Sequence, residues 1–292
     1  MKEILLIRHG RPDMPYDNPR CIGTTDLGLS VLGRLQSVLA GAYLRREGIS
    51  AVYCSKLARS YESALCMGVD PIPADGLQEL YAGEWDGLHF DEIRTRWPKL
   101  YLERGEKPWT PPPGAEDAAE GGQRFDRAVR DVVSLSGGNI AIVTHAFVMG
   151  LFICRTLDLP LTKAREFKLA YGSITRFSCD GQNFTLCGEP GFVPLPSLDG
   201  AVCTTLLQAA GTPDAVIAHC RAVSAEAMRI CDELSGAGIF LNRETLYAAA
   251  MLHDILRGEP HHDKAGADLI ARLGYPKAAA CIAAHHDLCF DK

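Results

Sequence analysis

Short apolar runs alternate with stretches of helical periodicity through the first part of the chain. Ile4-Leu5-Leu6-Ile7, Ala51-Val52-Tyr53-Cys54 and Ile140-Ala141-Ile142-Val143 are unbroken apolar runs, the pattern of strands buried on both faces. Ser30 is placed to cap a helix in which Leu32, Leu35, Val38, Leu39 and Ala42 recur at helical spacing, ending near Gly48. Further helices are predicted over 58–67, 90–103, 125–135 and 146–157. Residues 109–122 hold three consecutive prolines and several glycines and read as a loop. Ile174–Cys179 and Phe184–Cys187 flank Asp180-Gly181, which predicts a hairpin. This alternation specifies an α/β fold, a mostly parallel sheet flanked by helices.

Residues 188–200, with Pro190, Pro194 and Pro196, interrupt the pattern, and beyond them it is helical only. Val216, His219, Val223, Ala227, Ile230 and Leu234 keep helical spacing, and helices over 246–256, 265–273 and 277–285 follow. The expected organisation is an α/β domain over 1–190, a linker over 191–200 and an all-α domain over 201–292. There is no internal repeat and no low-complexity tract.

Composition narrows the class. A chain of 292 residues, 47% hydrophobic and 23% charged, is a soluble globular protein long enough for two domains. Its net charge of −6 argues against nucleic acid or an anionic membrane as partner, but not against a locally positive pocket for a small phosphate. The apolar run at 4–7 is too short for a signal peptide, and the longest apolar stretch, 146–154, is too short to span a bilayer. The eleven cysteines are odd in number and form no C-x-x-C pair. Cys54, Cys66, Cys154, Cys179 and Cys231 sit in apolar segments and read as free, buried thiols in a reducing cytoplasm. Nothing in the sequence specifies an oligomeric state.

The candidate chemistry lies where strands end. Arg8-His9-Gly10 follows the first strand directly, and His145 follows the Ile140–Val143 strand. Carboxyl ends of parallel strands are where open α/β sheets place ligands. Arg59, at the start of the helix after the Val52 strand, is expected at the same edge. Two arginines match the planar, bidentate geometry of phosphate, and a helix beginning beside His145 adds backbone N–H donors. The residues alone describe a phosphate pocket with an imidazole nucleophile.

Leu6-Ile7-Arg8-His9-Gly10, the Gly23-Thr24-Thr25-Asp26-Leu27-Gly28-Leu29-Ser30 segment, Ser55-Lys56-Leu57-Ala58-Arg59, Leu77-Gln78-Glu79-Leu80 through Gly87, and Thr144-His145-Ala146 resemble, in order and spacing over residues 1–187, the motifs of the histidine phosphatase (phosphoglycerate mutase-like) superfamily. The resemblance implies that His9 is the nucleophile, that Arg8, Arg59 and His145 hold the phosphoryl oxygens, and that Glu79 protonates the leaving alcohol. Glu84 and Asp86 are rival acids in the same segment. Leu80-Tyr81-Ala82 stands where the mutase branch carries an arginine-rich stretch, and Arg11-Pro12-Asp13 replaces its usual residues after the glycine, so a phosphatase is expected rather than a mutase. The segments 21–26 and 83–87 look most like the α-ribazole phosphatase-like branch. The implied partner is a small phosphorylated metabolite, with no cofactor for this half.

Six of the nine histidines lie between His219 and His286, one of them adjacent to Asp254. Imidazole and carboxylate together suit a divalent ion such as Fe, Mn, Ni or Zn, and the absence of cysteine pairing argues against a zinc finger. Val216-Ile217-Ala218-His219, Ala249 through Ile255 with His253-Asp254, His262 with Gly266, and His285-His286 resemble the HD phosphohydrolase superfamily. That resemblance implies His219, His253 and Asp254 as primary ligands, with His262, His285 and His286 around a second ion. His261 is a neighbour without a role. The family normally supplies a further metal-binding Asp beyond this region, for which Asp287 and Asp291 are the candidates before Lys292, so the expectation is an HD domain that is C-terminally truncated, metal-poor or inactive. The whole chain then reads as a histidine phosphatase joined to an HD phosphohydrolase, or alternatively to a non-catalytic HD module that binds metal or nucleotide as a regulator.

Overall fold

The computed structural model describes residues 1–286, and the chain divides into two compact units, Met1–Pro194 and a second beginning at Leu195. The first unit is built on six strands: β1 (Lys2–Arg8), β2 (Ala51–Ser55), β3 (Pro71–Ala74), β4 (Ile140–Thr144), β5 (Ile174–Cys179) and β6 (Phe184–Phe192). They lie in the order β3-β2-β4-β1-β5-β6. The first four are parallel, whereas β5 and β6 run antiparallel at one edge. The unbroken apolar runs mark the strands at the centre of this sheet.

Their alternate residues serve two cores. Ile4, Leu6, Tyr53, Ile140 and Ile142 pack on one face with α5 (Ala118–Leu135) and α6 (Ala146–Thr156). Leu5, Ile7, Val52, Cys54, Ala141 and Val143 pack on the other with α1 (Val31–Leu44) and α2 (Ala58–Cys66). A pleat of period two, apolar at every position, must be covered twice, so helices lie on both faces. Ser30 caps α1, its side chain accepting from Gly33 N.

Several expected elements differ. The helix expected over 90–103 is two, α3 (Phe90–Arg96) and α4 (Pro98–Glu106), because Pro98 cannot continue the hydrogen-bond ladder and pushes Trp97 out of helical geometry. α5 begins seven residues before Phe125, since Asp117 accepts from Ala119 N and Glu120 N and nucleates the turn inside the expected loop. β3 was not expected: Pro71 and Pro73 suppress the strand signal but are tolerated on an edge strand that pairs only with β2. β6 continues five residues beyond Cys187 to Phe192.

The second unit is helical: α7 (Gly200–Ala210), α8 (Asp214–Gly236), α9 (Arg243–Leu252), α10 (His262–Arg272) and α11 (Pro276–Ala283). α7, not expected from the sequence, starts at the end of the presumed linker, where Asp199 accepts from Val202 N. Cys203, Leu206 and Leu207 bury one face of it. α9 stops at Leu252, four residues short of its expected end, and turns through the His253-Asp254 pair. Buried Met251, Leu252, Ile255, Ile270 and Ile282 form this unit's core. Among the described residues the cysteines are free, with Cys54, Cys154, Cys179 and Cys231 buried and Cys66 half-buried. No described helix is long and apolar enough to cross a membrane.

Candidate functional site

β1 and β4 are adjacent and parallel with Arg8 opposite Thr144, so the residues that follow, His9 and His145, emerge side by side at the carboxyl edge. His9 N donates to Thr144 O at 2.9 Å, and the two imidazole centroids are 4.9 Å apart. β2 flanks β4 on its other side and delivers Arg59 through the first turn of α2. Ser60 Oγ donates to Val143 O at 2.7 Å and fixes that turn to the sheet. Two glycines let the loop after β1 close on α1: a Cβ on Gly10 would lie 2.1 Å from Gly33 O, and one on Gly33 2.1 Å from Arg11 O.

His9, Arg59 and His145 are 3%, 1% and 1% exposed. The His9 Nδ1 atom lies 2.7 Å from Gly10 O. A carbonyl only accepts, so Nδ1 carries the proton and Nε2 keeps its lone pair. Arg59 Nε donates to that Nε2 at 3.2 Å, while its Nη1 and Nη2 donate to Thr25 O and Gly23 O at 2.8 and 2.6 Å. Burial first, then the positive charges of Arg59 and Arg8, hold the His9 imidazole well below its ordinary pKa. Burial, Arg59, His9 and Arg8 depress His145 in the same way. Arg8 Nη1 donates to Leu169 O at 2.6 Å and its guanidinium stacks 3.7 Å over Tyr171, whose ring is also 5.7 Å from His9. Both ring nitrogens of His145, and Arg8 Nε, are buried without a hydrogen-bond partner. Such atoms cost about 1–3 kcal/mol each unless a ligand satisfies them.

The three carboxylates of the 77–87 segment separate by environment. Glu79 lines the cavity beside Arg8, with Oε2 accepting from Phe147 N at 2.9 Å and Oε1 from Leu80 N and Val148 N at 3.0 and 3.2 Å. It therefore caps α6 from outside the helix. Asp86 accepts from the backbone N–H groups of Gly23, Thr24 and Thr25 and from both threonine hydroxyls. Partial burial opposes its charge, but these donors prevail and hold its pKa below the ordinary value. Asp86 is thus a structural anion under the 23–25 loop, and Glu84 is exposed and outside the cavity wall. Tyr171, in the turn before β5, and the arginines Arg104, in α4, and Arg165, in a short helical turn after α6, also line this cavity; none carries a sequence motif.

In the second unit, α8 supplies His219, the turn after α9 supplies His253 and Asp254, α10 opens with His262, and His285 and His286 follow α11. Two groups form, His219-His253-Asp254 and His262-His285-His286, each with ligand atoms within 4.8 Å of one another. Asp254 is 0% exposed; its Oδ2 lies 3.4 Å from His253 Nε2 and 3.9 Å from His219 Nε2, and its Oδ1 3.2 Å from His262 Nε2. His253 Nδ1 and His285 Nδ1 lie 2.8 and 2.7 Å from the carbonyls of Ala250 and Ile282. Each must donate there, leaving Nε2 turned inward as a lone pair. Burial lowers the pKa of His253 and favours the neutral ring a metal needs. Asp254 Oδ1 and His285 Nε2 are buried without a hydrogen bond. Half-exposed Arg257 pairs with Asp254 Oδ2 at 2.5 Å and must swing outward for that oxygen to serve as a ligand. The donor set fits a divalent ion. His261, exposed and left-handed at φ 53°, precedes α10. Asp287 and Asp291 lie outside the described residues.

Residues 4–188 match the histidine phosphatase superfamily (branch 1), and residues 216–290 match the HD domain. The chain is 30% identical over 199 residues to the bifunctional protein Rv2228c of Mycobacterium tuberculosis, a match covering 65% of this chain and 54% of that protein. It spans about half the length of these mycobacterial relatives. It is 27% identical over 175 residues to phosphoserine phosphatase 1 of Hydrogenobacter thermophilus, covering 57% of this chain and 82% of the relative. The solved structure of the alpha-ribazole phosphatase from Shigella flexneri shares the fold, with a TM-score of 0.58 at 21% identity over 66% of this chain and 98% of that one.

Proposed function

The chain belongs to the histidine phosphatase superfamily, branch 1, and from that premise we propose that its first unit hydrolyses a small phosphomonoester through a phosphohistidine at His9. The observation that carries this is the set of buried, unpartnered polar atoms, both His145 nitrogens and Arg8 Nε, beside an imidazole whose Nε2 keeps its lone pair and accepts from Arg59 Nε. Such a set satisfies the equatorial oxygens of a phosphoryl group and costs stability without one.

In this reading His9 Nε2 attacks phosphorus and the bond from phosphorus to the alcohol oxygen breaks. Arg8, Arg59 and His145 hold the three spreading oxygens. Glu79 gives its proton to the departing alcohol, then takes one from the water that cleaves the phosphorus–nitrogen bond and releases inorganic phosphate. Depression of the His9 pKa keeps the nucleophile unprotonated. The relatives named for phosphoserine and α-ribazole phosphate handle substrates of the same general class, small phosphomonoesters.

The second unit is a metal-dependent phosphohydrolase in the same proposal, with His219, His253 and Asp254 holding one divalent ion and His262, His285 and His286 a second. A bound ion there supplies Lewis-acid polarisation of a phosphoryl oxygen. The chain's own part is to keep the imidazoles neutral and aimed through the Ala250 and Ile282 carbonyls.

The test of the first unit is hydrolysis of p-nitrophenyl phosphate without added metal, by the full chain and by His9→Ala. Loss of turnover in the variant is expected, together with loss of an acid-labile, base-stable phosphoenzyme. Undiminished turnover in His9→Ala would remove the nucleophile.

A further inference from the structure

The cavity over the phosphate cluster encloses about 650 Å³, far more than one phosphoryl group occupies. Beyond Arg8 and Glu79 its wall includes the aromatic rings of Trp85, Tyr101, Trp109 and Phe147 and three guanidiniums, Arg20, which donates to Gly87 O at 2.7 Å, Arg104 and Arg165. Arg104 donates to Thr110 O and lies 5.5 Å over Trp85; Arg165 lies 4.1 Å over Phe147. Neither forms an ion pair among the described residues, and Arg165 makes no hydrogen bond there.

The acids of the same wall are already engaged. Glu79 accepts from the Leu80, Phe147 and Val148 N–H groups while its charge favours the Arg165 cation, Glu116 is paired with Arg124 at 2.8 Å, and Asp117 caps α5. Burial, reinforced by the like charge of Arg165, pushes Arg104 down to about 10. Two cations that repel each other and face one cavity are stabilised when a shared anion lies between them. The phosphoryl group being transferred does not supply that anion, because Arg8, Arg59 and His145 already take it.

We infer that Arg104 and Arg165 form a second anion subsite, and that the substrate is a phosphomonoester whose alcohol portion bears a further carboxylate or phosphate. This rests on the phosphatase reading of the His9 site. The aromatic rings of the same wall suit an apolar body joining the charges, held by ring contact rather than by hydrogen bonds.

The experiment uses the full chain and three matched series of increasing chain length: phosphorylated ω-hydroxy acids, their methyl esters, and α,ω-bisphosphates. The acids or the bisphosphates are expected to exceed the methyl esters in kcat/KM by about tenfold or more at one preferred length, chiefly through KM, as for a charge-assisted contact. Whichever series prevails identifies the second anion. Arg165→Leu and Arg104→Leu should each collapse that preference, and Arg165→Lys should restore part of it. Arg165 is exposed to the cavity, so its leucine variant tests the idea even where Arg104→Leu disturbs the Thr110 loop. Equal rates for acids, bisphosphates and methyl esters at every length would overturn the subsite, as would a preference surviving Arg165→Leu. Hydrolysis that does not require His9 would defeat the phosphatase reading instead.

Discussion

Asp86 touches no substrate in the proposed mechanism, yet it positions Arg59. Its carboxylate holds the 23–25 loop through five hydrogen bonds of 2.5–3.1 Å. The carbonyls of Gly23 and Thr25 in that loop in turn receive both Arg59 Nη groups. Replacing Asp86 with Asn preserves shape and removes one acceptor and the charge. If the amide oxygen stays toward Gly23 and Thr25, the new NH2 faces Thr24 N, donor against donor. A stranded backbone N–H costs about 1–3 kcal/mol, and reducing the remaining bonds from charge-assisted to neutral costs roughly 0.5 kcal/mol each. Discounted for partial solvent exposure, the loss is about 2–3 kcal/mol, or roughly 5–10 °C in the melting temperature of a unit this size.

Differential scanning calorimetry and steady-state kinetics on Asp86→Asn read the two consequences separately. A sub-ångström shift of the 23–25 carbonyls misaims Arg59, so kcat/KM for p-nitrophenyl phosphate should fall about tenfold or more. The pH dependence has a definite sign. The folded-state pKa of Asp86 is depressed, so its stabilisation is complete above the unfolded value and is lost as pH falls through the folded one. The melting gap between parent and variant should therefore be widest near neutrality and shrink below about pH 4. Melting temperatures equal at neutral pH, with unchanged kcat/KM, would refute the chain of support from Asp86 through the loop to Arg59.

Two further outcomes follow from the sites. Glu79→Gln should lower kcat for an alkyl phosphate by about 10²–10⁴ but cost far less with p-nitrophenyl phosphate, whose leaving group needs no proton; equal losses on both would remove Glu79 as the acid. Elemental analysis of the purified full chain should find a divalent transition metal that His253→Ala loses and His9→Ala retains, and a metal-free parent after growth in supplemented medium would defeat the second centre.

The convergence of His9, Arg59 and His145 was legible because these residues are tied to strand ends. An apolar run such as Ile4–Ile7 announces its strand, and the next residue falls at the carboxyl edge by the geometry of a parallel sheet. Periodicity cannot give strand order, and it is β4 lying between β1 and β2 that sets His145 beside His9 and Arg59. The misread elements share a cause, a local signal opposed by tertiary context. Pro71 and Pro73 mask β3, Gly121 and Gly122 mask the start of α5, and α7 is apolar over so much of its circumference that no stripe stands out. Arg104 and Arg165 had no signal at all. Their meaning comes from facing one cavity from separate elements, which spacing along the chain does not encode.

Fixed charge divides the two centres. Both gather imidazoles, and in both burial favours the neutral ring, shown by His9 and His145 in one and His253 in the other. Around His9 the fixed charges are the buried guanidinium of Arg59 and the half-buried one of Arg8 against the single carboxylate of Glu79, so the cluster has positive excess and its unpartnered atoms include Arg8 Nε, a donor suited to an anion. Around His253 the buried fixed charge is Asp254, and the inward atoms are imidazole lone pairs and a carboxylate oxygen, suited to a cation. Among the described residues Arg257 is the arginine paired with that carboxylate, and it is half-exposed, whereas Arg59 is 1% exposed and held at three points. In the proposed reading, imidazoles of like protonation are turned to opposite ligands by the sign of the charged side chains set beside them.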